Sequence, residues 1–372
     1  MEEKEDKYDI KIIESMEEFE RMCTSWNKLL RQSISDTIFL TWEWLYTWAE
    51  HYIVEGRKLF IIAVYTKDDL IGIAPFYINP IKSSFFKIRQ IEFLGSPETA
   101  SDYLDILVQR GKEKEIAKYL YDFLFLKVSS KWDSILLRDI PSESLFLLYF
   151  LRDVKKNRKY FELQDGSFCP FLKLPESNEQ FILTLSPNRR KRLKYDLNTL
   201  KKQGEINFYT IQSMDCESHF KKFFTLYEKR WKNINSKFYL FLEKFVLKGA
   251  KEGWVCIDFF NFNGYDTAGL FFLRYQNRLS MYLMAVDTSL NKKISVGNIL
   301  VGLSVEKAIN DRVSVYDFLK GDEEYKFYWT DEGKKCLDVF TCKMSFGTIS
   351  LILKKSAKNF AKVIMPHLLH SK

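Results

Sequence analysis

The run from Tyr316 to Trp329 reads Tyr-Asp-Phe-Leu-Lys-Gly-Asp-Glu-Glu-Tyr-Lys-Phe-Tyr-Trp. Val313, Val315 and Phe318 are β-formers that stop at Gly321. Asp322, Glu323, Glu324, Tyr325 and Lys326 then crowd the loop past a strand's C-terminal end, where folds commonly present chemistry. The plainer reading is an edge strand with a charged, solvated turn. For Lys326, set among Tyr325, Phe327 and Trp329, that reading is an ammonium snorkelling over aromatic rings.

A second group precedes an apolar helical stretch. Lys292, Lys293, Ser295, Gly297 and Asn298 surround the start of a helix expected over 296–310, where free N–H groups and the helix dipole favour a phosphate or pyrophosphate. Ser295 acting simply as an N-cap is the alternative. Asp287 and Asp317 end neighbouring strands, and either carboxylate would accept a proton directly or through water. Asp102, Tyr103 and Asp105 form another polar knot, placed to line an acceptor cleft, although a lone Asp such as Asp102 commonly caps a turn. Trp42, Trp44 and Trp48 share a helix and read more readily as core than as a sugar platform. Of the four histidines, His367 and His370 lie at the tail, and His51 and His219 have no Ser or Cys context for a triad. Neither a Walker loop nor G-x-G-x-x-G occurs, which disfavours nucleotide hydrolysis and dinucleotide redox.

These residues must be positioned by two cores rather than one, since 372 residues exceed an average domain. The composition allows it: 46% of residues are hydrophobic and 16% aromatic, with only 8 Pro and 15 Gly, so disorder is disfavoured. Hydrophobic periodicity predicts helices at 16–30 and 42–51, strands at 59–65, 71–78, 91–94 and 105–108, a helix at 112–127 and a strand at 134–138. The order then recurs. Helices fall at 216–231 and 239–252, strands at 255–262, 267–275 and 278–286, a helix at 296–310 and a strand at 313–319. The expectation is an α+β (mixed α/β) chain in which one pattern, a mostly antiparallel sheet with flanking helices, is used twice.

Six scattered cysteines with no C-x-x-C pair argue against a zinc site or a disulfide framework and fit a reducing compartment. The N-terminus lacks a signal-peptide pattern and no apolar run reaches the ~18 residues of a membrane span, so a cytoplasmic protein without a membrane span is expected. The net charge of +8 is concentrated in two places. Arg189, Arg190, Lys191, Arg192, Lys194, Lys201 and Lys202 lie on a helix with Leu193, Leu197 and Leu200, which would meet RNA, an anionic head group or a nucleotide-linked substrate, or would simply be a solvated face. The stretch 349–372 is a second basic amphipathic segment, suited to a membrane surface or to packing on its own domain.

Several short motifs, in order over about 300 residues, together resemble the CelD-like (BioF2-like) acetyltransferases of the GNAT superfamily, which are built like the Fem peptidyltransferases. They are Phe39-Leu40-Thr41-Trp42-Glu43-Trp44, Gly72-Ile73-Ala74-Pro75-Phe76, Phe93-Leu94-Gly95 with Asp102-Tyr103-Leu104-Asp105, Trp132-Asp133, the helix Arg189 to Gly204, Arg230-Trp231, Asp287, Gly297, and finally Asp317, Phe318, Gly321, Tyr325 and Lys326. One departure is Ser295-Val296-Gly297 where the family commonly has Ser-Pro-Gly. The preset φ of proline is lost while the glycine remains.

The resemblance implies two tandem GNAT-like folds, an N-terminal domain over 1–175 and a C-terminal acetyltransferase domain over 176–347, followed by a basic helix over 348–372. It implies an N-acyltransferase that takes acetyl-CoA or another acyl-CoA as co-substrate, without a metal, and acylates an amino group of a sugar or other envelope or polysaccharide precursor. In that picture Lys326, Asp287, Asp317 and Tyr325 are catalytic, Lys326 steadying the developing oxyanion or an anionic group on the acceptor. Lys292, Lys293, Ser295, Gly297 and Asn298 hold the coenzyme, and Asp102, Tyr103, Asp105 and Trp231 the small-molecule or glycan-precursor acceptor. Two alternatives stay open: a Fem-like peptidyltransferase using aminoacyl-tRNA, for which no long heptad block is present to hold tRNA, and a non-catalytic scaffold in polysaccharide assembly.

Overall fold

The computed structural model describes residues 7–83, 85–212, 215–287 and 294–355. Lys292 and Lys293 of the expected helix-start site lie outside these, as do residues 356–372 of the basic C-terminal stretch. The chain forms two compact units, one of residues 1–166 with 337–372 and one of residues 167–336.

In the first unit, Asp9–Ile13, Ile61–Thr66, Asp69–Ala74 and Leu107–Val108 make an antiparallel sheet in that order. A second sheet places Lys58–Leu59 beside Phe76–Ser83, then Phe86–Phe93, then Ser134–Pro141. The strand expected over 71–78 is thus two strands in two sheets. Pro75 separates them, because a residue without an N–H cannot extend a ladder on that side. Its carbonyl instead accepts from Leu94 N at 2.8 Å. The helix expected over 112–127 is α-helical only through Glu113–Asp122 and ends in a π turn, Phe123–Lys127. Trp44, Trp48 and Trp132 are fully buried, so the tryptophan helix Trp42–Tyr52 is core. Periodicity gave no sign of the helix Leu145–Lys156 or of the strand Gly333–Cys342.

In the second unit, Ile206–Gln212, Val255–Phe262, Tyr265–Tyr275 and Arg278–Val286 form an antiparallel run. Asn263-Gly264, both at positive φ, supplies the two-residue hairpin turn between the middle pair. The helix Val296–Asn310 then crosses over and returns the chain to Val315–Asp317, which pairs parallel with Arg278–Val286. Phe86–Phe93, the helix Glu113–Asp122 and the parallel strand Ser134–Pro141 repeat that unit in the first half. The crossover helix Val296–Asn310 is buried along most of its surface, through Val296, Ile299, Leu300, Val301, Val305, Ala308 and Ile309. Burying each of these larger side chains contributes roughly 1.5–3 kcal/mol, which holds the helix and hence its first turn in place. Gly302 lets the helix Pro187–Gln203 approach: a Cβ there would stand 3.3 Å from Leu193 and Trp329.

Candidate active site

Arg278–Val286 and Val315–Asp317 pair only through Arg278↔Val315, Leu279↔Tyr316 and Ser280↔Asp317. Past Ser280 no ladder joins them, and a cavity of about 430 Å³ is lined by the last residues of the first strand, Met284, Val286 and Asp287, by the helix start Ile294 to Asn298, and by Arg230 and Tyr325. A parallel pair that opens in this way exposes strand backbone and a helix N-terminus to the same space, which suits an extended anionic ligand.

Of the first four helical N–H groups, Val296 to Ile299, three are engaged among the described residues. Val296 N donates to Ile294 O, Asn298 N to Ser295 Oγ at 3.4 Å, and Ile299 N to Ser295 O. The Gly297 N–H has no partner among the described residues. A Cβ at Gly297 would meet only Val286 and Met284, at 3.6 and 3.7 Å. Both line the cavity, so the glycine preserves room there and the helix would tolerate a side chain. Ser295 is both an N-cap and a lining residue, so the two readings of it hold together.

Tyr325 is half-buried on the short helix Glu324–Phe327, and its hydroxyl has no hydrogen-bond partner among the described residues. Burial pushes its phenol well above the ordinary value, Glu323 acts in the same direction, and Arg230 opposes both. It is therefore a protonated donor at neutral pH. Asp287 ends its strand with its N–H on Thr267 O at 2.8 Å and its side chain at the cavity. Arg230 ends the helix Asp215–Arg230 and lies over the exposed Trp231 ring, 5.5 Å from its centroid. Trp231 is not among the lining residues. Sequence reasoning quoted Arg230 only as half of a motif and missed it as a site residue. A lone Arg at a helix end carries no signal until the fold turns it to the helix start of Val296.

Asp317 and Lys326 are placed differently. Asp317 is fully buried, with Oδ2 accepting from Arg278 Nη1 at 2.6 Å and Oδ1 from Leu319 N at 2.9 Å. This fastens the parallel pair where it is closed and holds Leu319 at its positive φ. Lys326 is also buried. Its Nζ donates to Lys320 O at 2.6 Å and Leu319 O at 3.3 Å and pairs with Glu323 Oε2 at 2.9 Å, engaging all three protons. Gly321, at φ +131°, makes room, since a Cβ there would lie 2.7 Å from Lys326 Nζ.

Three of the four expected acceptor residues, Asp102, Tyr103 and Asp105, belong to the first unit. Asp105 is buried, accepts from Ser35 Oγ and Ile106 N at 2.8 Å, and has its carboxyl pushed up to about 6 by burial. Asp102 and Tyr103 are buried beside it in sequence, Tyr103 at φ +56°. The cavity's lining residues all come from the second unit.

Residues 187–327 match the family described as acetyltransferase (GNAT) domain. The second unit is a GNAT-type acetyltransferase domain. It makes the chain an acyltransferase. Among solved structures the chain resembles FemX, with a TM-score of 0.58 at 11% identity over 92% of this chain and 99% of that one. It also resembles L-PGS from Bacillus licheniformis, with a TM-score of 0.53 at 9% identity over 89% and 96%. At such identities the likeness speaks for the fold. Curated proteins give no match to the chain. Among the described residues no His/Cys/Asp/Glu group could hold a metal ion, and no helix is long and apolar enough to cross a membrane.

Proposed function

We propose that this GNAT domain transfers an acyl group from acyl-coenzyme A to a primary amine on a sugar or other polysaccharide or envelope precursor. The observation that carries this reading is the cavity at the opened strand pair, which Gly297, Arg230 and Tyr325 line together. The helix start and Arg230 take the coenzyme's phosphates, which form charge-assisted hydrogen bonds to such donors. Asp287 accepts the proton of the attacking ammonium, directly or through water, and the amine nitrogen adds to the thioester carbonyl. When the tetrahedral intermediate collapses, the C–S bond breaks, Tyr325 gives its proton to the leaving thiolate, and the surplus proton on the amide nitrogen restores the phenol. Arg278, Asp317, Lys320 and Lys326 hold the loop that presents Tyr325. Lys326 meets carbonyls, so its role is to position that loop.

The test is release of free thiol from acetyl-CoA in the presence of a panel of amino sugars and other amines, with Tyr325→Phe as control. Amine-dependent thiol release that falls in the variant is expected. A donor arm charged with aminoacyl-tRNA tests the second reading, which the exposed Lys191, Lys194, Lys201 and Lys202 on the helix Pro187–Gln203 favour. Turnover only in that arm would replace the acyl-CoA reading.

A further inference from the structure

The first unit exposes a group of large apolar side chains that the reaction does not use. The hairpin of Phe76–Ser83 and Phe86–Phe93 closes beside Phe85, which is as exposed as a side chain can be (101%), and Phe86 is 43% exposed. A helix over 346–355 lies against this hairpin end. Ser83 Oγ and Ser350 Oγ are 3.2 Å apart, and Gly347 is so close to Phe86 that a Cβ would stand 3.0 Å from it. The helix is two-faced. Leu351 and Ile352 pack inward on Leu136, Phe340 and Cys342, whereas Phe346, Ile349 and Leu353, at i, i+3 and i+7, point outward with Met344 just before them.

The two segments that carry this apolar group hold charge of one sign. Neither 81–89 nor 343–355 contains an acidic residue, and together they carry Lys82, Lys87, Arg89, Lys343, Lys354 and Lys355. Arg89 and Lys343 are tied to Asp133. Lys355 leans over Phe340, 3.7 Å from the ring centroid. Lys82, Lys87 and Lys354 are exposed and make no ion pair among the described residues. The sequence beyond, 356–372, adds Lys358, Lys362 and Lys372 and again no acid.

We propose that the Phe85 hairpin end and the Phe346–Leu353 helix face form a docking surface for an anionic lipid bilayer. Phenyl and leucyl side chains enter the head-group boundary while the lysines lie against lipid phosphates, the arrangement of an interfacial amphipathic anchor. The surrounding lysines argue for a charged surface over a second copy of the chain, because two such faces would bring like charges together. The inference is independent of the acyltransferase reading.

The experiment is co-sedimentation of the full chain with vesicles of phosphatidylcholine alone and of phosphatidylcholine with phosphatidylglycerol, at low and high salt. Binding to the anionic vesicles that weakens with salt is expected, with little binding to the neutral ones. Phe85→Ser with Phe346→Ser should weaken it roughly tenfold or more with an unchanged circular dichroism spectrum, and Lys82→Gln with Lys87→Gln should reduce it on anionic vesicles only. The proposal is overturned if the wild-type chain ignores anionic vesicles, or if the phenylalanine variant binds them equally well. Light scattering covers the other occupant: self-association removed by the phenylalanine substitutions, without lipid binding, would make the face an interface between copies.

Discussion

Tyr325 and Lys326 are neighbours on one helical turn and serve opposite ends of the same loop. The Tyr325 ring lines the cavity at the opened strand pair, while the Lys326 ammonium turns inward onto Leu319 O, Lys320 O and Glu323. One residue meets the reacting atoms in the proposed mechanism and the next fixes where it stands.

Tyr325→Phe separates these roles from one side. It keeps the ring and removes the proton donor, so kcat should fall by roughly a hundredfold or more, the usual contribution of a positioned acid. The KM for acyl-CoA should change little, as expected for an interaction made only in the transition state. Steady-state thiol release reads both.

Lys326→Met separates them from the other side. The stem's packing survives, but two backbone carbonyls lose a donor inside the protein, which costs about 1–3 kcal/mol. The melting temperature should drop by several degrees, and activity should fall through a displaced Tyr325. An unchanged melting temperature with a large loss of kcat would instead make the ammonium a direct partner of the transition state.

Asp258 predicts a pH dependence of stability. It is buried, accepts from Thr210 Oγ1 at 2.7 Å, and burial pushes its carboxyl up to about 6, so it binds its proton more tightly folded than unfolded. Its contribution is therefore most favourable below the unfolded pKa near 4 and is lost as pH rises through about 6, a change of about 3 kcal/mol at most. Asp258→Asn cannot titrate. Urea midpoints between pH 4 and 7 should fall more for the wild type than for the variant, and parallel curves would contradict the assignment.

The repeated element order was legible because it rests on local periodicity, and so was the helix start at Ser295, where a cap residue precedes an apolar run. The strand Gly333–Cys342 was not, since Lys334, Lys335 and Asp338 interrupt its alternation and its apolar end is short. The Asp317 and Lys326 positions were found by motif, but their burial was not, because charged residues in an acidic run read as solvated unless the partners, Arg278 and two carbonyls, are already in place. Arg230 could not be found at all from spacing. It reaches the site through the packing of a helix that ends about 65 residues before Val296.

In the proposed function the Gly297 helix start holds the donor's phosphates. A Cβ at Gly297 is sterically tolerated and points toward Val286 and Met284 in the cavity, so Gly297→Val should fold. Calorimetric titration of acetyl-CoA into the wild type and this variant is the most direct measurement. Saturable binding to the wild type is expected, with a loss of roughly tenfold or more in the folded variant, the scale of one charge-assisted contact. Equal affinity in the two proteins, or no binding by either at millimolar ligand, would contradict it.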